Sequence, residues 1–342
     1  MDLKLDLDNV LKHFDRLVAE GTIVYDYNYE TVRITDNGLP FEFRILSGMS
    51  QKPSYSNADG STMTAAEIQS DKDHEKALLA KGCAPGSDIN VSGYEVGHLT
   101  ETGHILAFNK FPAARPHFLI LTADAYQRQF ERLDGNDLWA MWSVMRSLGD
   151  GEKARHISFF NCGLESGCSR LHKHMQVFAI TSGLREGEES KLWPDVGEGA
   201  FFDDVLPFKV AIARFDEEDS KKMTKDRLLE VYGGLVAEAE GYLGVCTAKE
   251  KNAAEVVVNG NGTLEDQHGR NGEPAAAIPH NVVLDERWMV VIPRRSAGWK
   301  GADSNAVSML GMHWVSGQEK IDRWVGLGPT EVMRQVGVPV RE

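Results

Sequence analysis

The sequence predicts an α+β fold in which an antiparallel sheet is flanked by helices. Short runs of β-branched and aromatic residues follow one another along the 342-residue chain, separated by turn residues as in hairpins. Between these runs lie segments whose apolar side chains recur at helical spacing. The order strand, strand, helix, strand, strand across the middle of the chain is typical of a mixed fold with antiparallel strands.

The first third of the chain predicts a helix and then a hairpin. Residues 5–20 carry apolar side chains on one helical face, and Gly21 is a stop signal. Strand composition is found at 22–29, 31–35 and 41–46. Asn37-Gly38 between the last two runs is a hairpin turn signal. The polar, irregular segment 53–93, with a helix predicted over 65–81, is interpreted as a connection.

The middle of the chain is predicted to form a sheet, and a second group of helices and strands is predicted to follow it in the sequence. In the middle we expect strands at 104–108, 117–122 and 157–160 and a helix at 137–148. Later elements are a strand at 208–215, a helix at 225–243, a hairpin of 281–285 with 288–293, and strand and helix segments at 305–315 and 317–327. The charged run 184–191 suggests two regions, 1–190 and 191–342, the second completing the same fold and its pocket.

Composition argues against several classes of partner. With 37 basic and 51 acidic residues the formal net charge is −14, so the field of the protein repels nucleic acid and anionic membranes. An anionic ligand therefore requires a local basic pocket. No apolar stretch approaches the roughly 18 residues that span a bilayer, and the first residues do not resemble a signal peptide, so we expect a cytoplasmic protein. Four cysteines in so long a chain indicate reduced thiols.

The candidate catalytic residues are concentrated between 159 and 178. A turn-rich loop with two glycines and two serines leads into a predicted strand that carries His172, His174 and Gln176. Side chains two apart on a strand share a face, so we expect these three to project together. A loop of this composition can present backbone N–H groups to an anion.

This set of side chains suits the transfer of a phosphorus-centred group. A neutral imidazole attacks phosphorus when its other nitrogen is held by an acceptor, and the product is a reactive phosphoramidate. An amide on the same face can donate a hydrogen bond to a non-bridging oxygen. We therefore assign His174 as the nucleophile, His172 to its orientation and Gln176 as the oxyanion donor.

Further motifs accompany this stretch. They are Asn109-Lys110-Phe111-Pro112 with His117, the entry Phe159-Phe160-Asn161, the segment from Asn281 through Arg287-Trp288-Met289 to Pro293-Arg294, and Gly328-Pro329. Together they resemble the diadenosine tetraphosphate phosphorylases, or ATP adenylyltransferases, of the transferase branch of the histidine-triad superfamily. The resemblance implies a histidine-triad-like antiparallel sheet with flanking helices, elaborated by a C-terminal sheet and helix region. It also implies phosphorolysis of diadenosine tetraphosphate to ATP and ADP through a covalent adenylyl-histidine.

The resemblance also implies which residues contact the nucleotide. These are Lys52, Asn109, Lys110, Asn161, Ser166, Gly167, Cys168, Ser169, Arg170, Asn281, Arg287 and Met289. Arg170 and Leu171 stand where the family usually has Gln and Pro, and Arg170 adds a rigid donor fork for phosphate. We expect nucleotides and inorganic phosphate as the small-molecule partners, with no tightly bound cofactor and with Mg²⁺ carried on the polyphosphate.

Other interpretations of the same residues remain open. His-x-His on a strand is also a zinc-ligand pattern, which Cys162, Cys168 and His117 would complete, although the amide of Gln176 favours group transfer. The histidines could instead be structural. The same nucleophile would serve a nucleotide-sugar or other nucleoside-phosphate transferase, and a non-catalytic zinc- or nucleotide-binding protein is the alternative outside enzymes.

The remaining basic residues have simpler explanations. Lys110 and Arg115 in the connector between two strands are either ligand contacts or solvated loop charges. For Arg287, Arg294 and Arg295, at the turn and end of the C-terminal hairpin, the sequence favours solvated strand ends at least as strongly as a binding role.

Overall fold

The computed structural model describes residues 5–51, 72–149, 155–180, 192–196, 201–253 and 277–340. Its helices are α1 (Leu7–Ala19), α2 (Lys72–Ala80), α3 (Gly135–Gly149), α4 (Trp193–Val196), α5 (Phe201–Asp204), α6 (Glu217–Lys221), α7 (Lys225–Ala253), α8 (Gln318–Leu327) and α9 (Pro329–Val336). Its strands are β1 (Glu30–Asp36), β2 (Leu39–Ile45), β3 (Glu95–Leu99), β4 (His104–Phe108), β5 (His117–Thr122), β6 (His156–Cys162), β7 (His174–Ala179), β8 (Ala211–Arg214), β9 (His280–Leu284), β10 (Trp288–Pro293), β11 (Gly298–Trp299), β12 (Ala302–Asp303) and β13 (Met312–Val315). Among the helices of these ranges, none combines the length and apolar character needed to cross a bilayer.

The centre of the fold is an eight-stranded antiparallel sheet in the order β3-β4-β5-β7-β6-β9-β10-β8. Strand β6 pairs with β7 on one side and with β9 on the other, so strands from before and after residue 190 share one sheet. The predicted α+β class with an antiparallel sheet is confirmed. The predicted boundary at 190 lies outside the described residues.

The two faces of this sheet are covered differently. Helices α1, α3 and α7 cover one face, where Met175 and Val177 of β7 are buried. The other face is covered by a small sheet of order β1-β2-β13 and by the C-terminal helices, and it buries Phe159 and Phe178. Alternation along β6 and β7 therefore directs Asn161, His174 and Gln176 to this second face.

Most of the predicted elements are present. The hairpin turn at Asn37 and Gly38 is confirmed, and both residues have the positive φ angles, 48° and 82°, that such a turn requires. The helix expected at 225–243 continues to residue 253, and the strand expected at 208–215 is reduced to β8. The helix expected at 65–81 is described from Lys72 onward.

Two local predictions are wrong and one strand was missed. Residues 22–29 form no strand, because the N–H groups of Thr22 and Ile23 close the end of α1 on the carbonyl of Leu17 and the chain then turns away. Strand β3 was not predicted; it forms the edge beside β4 and is interrupted by a bulge. Strand β7 begins at His174, two residues later than expected, because the N–H group of His172 is bound by a side chain instead of a neighbouring strand.

Candidate active site

A narrow cleft opens on the second face of the main sheet. Its walls come from β5, β6, β7, the loop after β6 and the segment around β13. The lining residues are Met49, Asn109, Phe111, His117, Asn161, Gly167, Ser169, His174, Gln176, Asn305 and Trp314. Six of the site residues predicted from the sequence are therefore brought together here, all of them from the N-terminal region, and Asn305 and Trp314 add a wall from the C-terminal region.

The orientation of His174 is fixed by the backbone of its own segment. Its Nδ1 lies 2.8 Å from the carbonyl oxygen of His172. Since a carbonyl only accepts hydrogen bonds, Nδ1 carries the proton and the lone pair of the neutral ring is on Nε2. Nε2 is therefore the atom that can attack an electrophile.

Gln129 holds the backbone of the same residue. It is 1% exposed, and it fills the gap where β6 and β7 separate. Its Oε1 accepts from the N–H of His174 at 2.8 Å, and its Nε2 donates to the carbonyls of His174 and Asn161 at 3.0 and 3.1 Å. The two strand ends that carry the cleft side chains are thereby held at a fixed separation although they no longer pair directly.

The His172 imidazole lies outside the cleft, which corrects the expectation that the three side chains project together. Its Nε2 donates to the carbonyl of Thr122 at 2.9 Å, and its Nδ1 accepts from the Ser87 hydroxyl at 2.8 Å. Burial lowers the pKa of His172, so the ring is neutral. The contact between the two residues is made by the backbone carbonyl of His172, which holds Nδ1 of His174, and not by the His172 side chain to which the prediction gave this role.

The segment that holds His172 was not recognised from the sequence. The carboxylate of Asp88 accepts from the N–H groups of Leu171 and His172 at 2.7 and 2.9 Å. With Ser87 it fixes the chain immediately before the nucleophile. Asp88 lies 84 residues from His172 in the sequence, inside the segment interpreted as a connection, and no motif marks it.

The amide of Gln176 has a defined orientation. The backbone N–H of Ala113 donates to Nδ1 of His117 at 3.1 Å, so the proton of this neutral ring is on Nε2. That Nε2–H donates to Oε1 of Gln176 at 3.0 Å, and Nδ2 of Asn109 approaches the same oxygen at 3.4 Å. Because the oxygen is held by two donors, the Gln176 NH₂ group is left to face the cleft.

Two asparagines of the cleft resemble Gln176, because their amide oxygens are also held by protein donors. Oδ1 of Asn161 accepts from Nδ2 of Asn281 at 2.8 Å and from the N–H of Ala306 at 2.9 Å. Oδ1 of Asn305 accepts from the N–H groups of Val307 and Ser308, each at 3.0 Å. Their NH₂ groups are thus the parts available to a ligand. Asn305 was not identified from the sequence, since nothing in its neighbourhood resembles a binding motif.

The loop after β6 reaches the cleft through Gly167 and Ser169. Gly167 has φ +84°, and a Cβ there would lie 2.3 Å from the carbonyl oxygen of Ser304. A side chain at this position would therefore separate the loop from the C-terminal wall of the cleft. Ser166 is buried and its hydroxyl donates to loop carbonyls, whereas Cys168 and Arg170 do not line the cleft. The guanidinium of Arg170 instead lies near Cys83 and Tyr94. Burial raises the pKa of both groups, and the charge of Arg170 opposes this with a smaller, lowering effect.

Several other residues assigned to nucleotide contact are placed elsewhere. Arg287 pairs with Asp195 and Asp285 at the far turn of the β9–β10 hairpin, and Met289 is fully buried on the opposite face of the sheet. Both assignments are corrected, because neither side chain reaches the cleft. Asn281 is 0% exposed and lies behind Asn161. Lys110 is exposed next to Asn109, and Lys52 lies outside the described residues.

The geometry does not favour the zinc interpretation. Across the described parts of the chain, no three His, Cys, Asp or Glu side chains converge as a metal site would require. Cys162 alternates with Asn161 and is buried on the opposite face of the sheet, where burial raises the pKa of its thiol far above the ordinary range. His117 is engaged with Gln176.

The cleft therefore presents a nucleophilic nitrogen surrounded by hydrogen-bond donors. No Asp, Glu, Lys or Arg side chain is among the described residues that line it. Three NH₂ groups face inward, and Met49, Phe111 and Trp314 add an apolar wall. A site of this kind suits a ligand that combines a flat apolar group with oxygens that only accept hydrogen bonds.

Comparison with known proteins identifies two family models that match the chain. The model of the Ap4A phosphorylase N-terminal domain matches residues 87–189, and that of the ATP adenylyltransferase C-terminal domain matches residues 204–339. Together they cover more than half of the chain, including β6, β7 and most of the cleft.

Two curated proteins of Saccharomyces cerevisiae are similar in sequence. Diadenosine 5',5'''-P1,P4-tetraphosphate phosphorylase 2 is 27% identical over 232 residues, which is 64% of this chain and 63% of that protein. Protein APA1 is 25% identical over 211 residues, which is 59% of this chain and 58% of that protein. The matched region thus spans somewhat less than two thirds of each relative.

Solved structures share the fold. Yeast Ap4A phosphorylase Apa2 in complex with Ap4A has a TM-score of 0.67 at 19% identity, covering 99% of both chains. The same protein in complex with AMP has a TM-score of 0.62 at 18% identity, covering 99% of this chain and 98% of that one. The arrangement of the large antiparallel sheet and its flanking helices is therefore that of Apa2.

Proposed function

The chain belongs to the Ap4A phosphorylase family, and we propose that it cleaves diadenosine tetraphosphate by phosphorolysis to ATP and ADP through an adenylated His174. The observation that carries the proposal is the Nδ1–H of His174 on the carbonyl of His172, 2.8 Å away. It leaves Nε2 as the nucleophilic atom and directs it into a cleft of donors.

In the first step Nε2 of His174 attacks the phosphorus next to one adenosine. A bond forms between Nε2 and that phosphorus, the bond from phosphorus to the bridging oxygen breaks, and ATP leaves. The ring becomes positively charged while Nδ1–H remains on the His172 carbonyl, which stabilises that charge. ATP is a stable anion, so no general acid is required.

In the second step inorganic phosphate attacks the same phosphorus from the side that ATP has left. The bond from phosphorus to Nε2 breaks, ADP is released and His174 returns to its neutral form. The Gln176 and Asn161 NH₂ groups donate to the non-bridging oxygens in both steps, where charge accumulates. The wall formed by Phe111, Met49 and Trp314 is suited to packing against adenine.

Mg²⁺ would reach this cleft as part of the polyphosphate. The amide oxygens of Gln176 and Asn161, which are the type of ligand a cation requires, are held by protein donors, and no carboxylate is among the described lining residues. The cleft residues therefore do not fit a resident metal ion, and the steps above use none.

The intact mass of the protein after mixing with diadenosine tetraphosphate in the absence of phosphate tests the proposal. We expect an adenylyl increment on the wild type that disappears when phosphate is added, and none on His174→Ala. Discharge of the increment by a sugar phosphate but not by inorganic phosphate would instead support the nucleotide-sugar alternative. No increment on the wild type, with ATP and ADP still formed, would contradict the covalent mechanism.

A further inference from the structure

Arg294 is a buried charge behind the cleft. Its side chain is 1% exposed, and all its described hydrogen-bond acceptors are neutral: Oδ1 of Asn281 at 2.5 Å and the carbonyls of Ser296, Ser304 and Val336 at 2.8, 3.2 and 3.3 Å. Among the ion pairs of the described residues, none includes Arg294. Burial lowers the pKa of Arg294 to about 9, so the guanidinium is charged at neutral pH. This contradicts the interpretation of Arg294 as a solvated strand end.

The amide of Asn281 connects this charge to the cleft. Its oxygen accepts from Arg294, and its Nδ2 donates to Oδ1 of Asn161 and to the carbonyl of Ser166, each at 2.8 Å. Both the oxygen and the nitrogen of the Asn281 amide are thus engaged by protein groups, and the side chain is 0% exposed. Asn281 therefore cannot contact a ligand, although β9 places it directly opposite Asn161 in the sheet.

The orientation of Asn161 depends on this connection. An isolated asparagine amide can present either its oxygen or its NH₂ group to a ligand. Here the oxygen is held by Asn281 and by the N–H of Ala306, so the NH₂ group is the end left for the cleft. The guanidinium can only donate, which fixes the direction of the Asn281 amide and, through it, of the Asn161 amide.

We propose that Arg294 is a positioning residue for phosphate binding, which acts through Asn281 to hold the Asn161 amide with its NH₂ group toward the ligand. The proposal rests on the proposed function in assuming that the cleft binds an adenine nucleotide by its phosphates. The ligand group at Asn161 is an ionised phosphate oxygen, which only accepts hydrogen bonds. Because Arg294 has no carboxylate partner among the described residues, its charge also favours an anion in front of Asn161.

ATP binding by calorimetry tests the proposal in a His174→Ala protein, which cannot turn over. Asn281→Asp keeps an acceptor for Arg294 but removes the Nδ2 donor, so the Asn161 oxygen loses one of its two partners. We expect ATP affinity to fall about 10- to 100-fold, the range for a hydrogen bond to a charged group. Adenosine affinity, which involves no phosphate, should change less than about twofold.

A double-mutant cycle distinguishes loss of the Asn161 amide orientation from a general effect of Asn281→Asp on the fold or the charge of the site. In an Asn161→Ala background the loss of ATP affinity caused by Asn281→Asp should shrink at least fivefold, because the amide that it orients is gone. An equal loss in both backgrounds would overturn the proposal, since Asn281 and Arg294 would then act by charge or fold alone. An equal loss for ATP and adenosine would overturn it as well.

Three further variants complete the design. Asn136→Asp adds the same charge on an exposed residue outside the cleft and should leave ATP affinity unchanged. Arg294→Lys keeps the charge, and we expect it to retain more ATP affinity than Arg294→Met; equal losses would count against the role of the charge. If the His174→Ala protein binds neither ATP nor adenosine, the proposed function fails; if it binds both and the cycle shows no coupling, only the positioning role fails.

Discussion

Replacing His117 by Phe tests how the orientation of Gln176 contributes to the reaction. His117 is 1% exposed and its ring packs 5.5 Å from those of Phe178 and Trp314, so a phenyl ring of similar size fits the site. The substitution removes the Nε2–H that donates to Oε1 of Gln176 at 3.0 Å. Among the described residues, the longer contact from Asn109, at 3.4 Å, is then the one that holds that oxygen.

The size of the effect follows from the hydrogen bond that is lost. A bond of this kind is worth about 0.5–1.5 kcal/mol, so the preference for the productive amide orientation falls by roughly 2- to 13-fold. We expect kcat for diadenosine tetraphosphate to fall about tenfold with little change in KM. Gln176→Ala removes the donor itself and should lower kcat by about 100- to 1000-fold.

The combination of the two substitutions gives the decisive result. If His117 acts only through Gln176, the double variant His117→Phe with Gln176→Ala should be no slower than Gln176→Ala alone, within about twofold. A further tenfold loss in the double variant would refute the argument, and so would an effect confined to KM. His313→Phe is a matched control, because it also replaces a histidine that is 1% exposed, at a position outside the lining of the cleft.

Two predictions concern stability. His313→Phe removes two buried ring nitrogens that have no hydrogen-bond partner among the described residues, and should stabilise the protein by about 1 kcal/mol in urea unfolding at pH 7. Burial lowers the pKa of His313 from 6.5 to about 3. Between these two pH values His313 is therefore protonated in the unfolded chain and neutral in the folded protein. The wild type should therefore lose stability as pH falls below about 6.5, and His313→Phe should lose less. Asp137→Asn removes the charge that pairs with Lys173, 2.6 Å away and 2% exposed, and should destabilise the fold by about 3–5 kcal/mol.

The second of these predictions has an exposed counterpart. Glu230→Gln breaks the pair with Arg227 on the surface of α7 and should change the unfolding free energy by less than about 1 kcal/mol. An Asp137→Asn protein as stable as the wild type would show that Lys173 finds another partner. Equal loss of stability in wild type and His313→Phe between pH 7 and pH 5 would show that other groups dominate the acid response.

The sequence by itself determined the elements whose signals are local. Asn37-Gly38 specifies its turn because both residues tolerate positive φ, and the alternation along 174–179 places His174 and Gln176 on one face of a strand. The prediction of His174 as the nucleophile depended on the family resemblance as well, but the group that holds its Nδ1 is local, since that carbonyl belongs to His172. Local spacing is sufficient wherever the interacting groups are a few residues apart.

Only the tertiary structure decided which end of each amide faces the ligand and where the charges lie. Gln129 is 45 residues from His174, and Asn281 is 120 residues from Asn161. An amide side chain carries a donor and an acceptor of nearly the same shape, so its orientation depends on distant partners that no local pattern records. The same holds for Arg294: its position at a strand end favoured a solvated charge, whereas the packing of the chain around it made it a buried one.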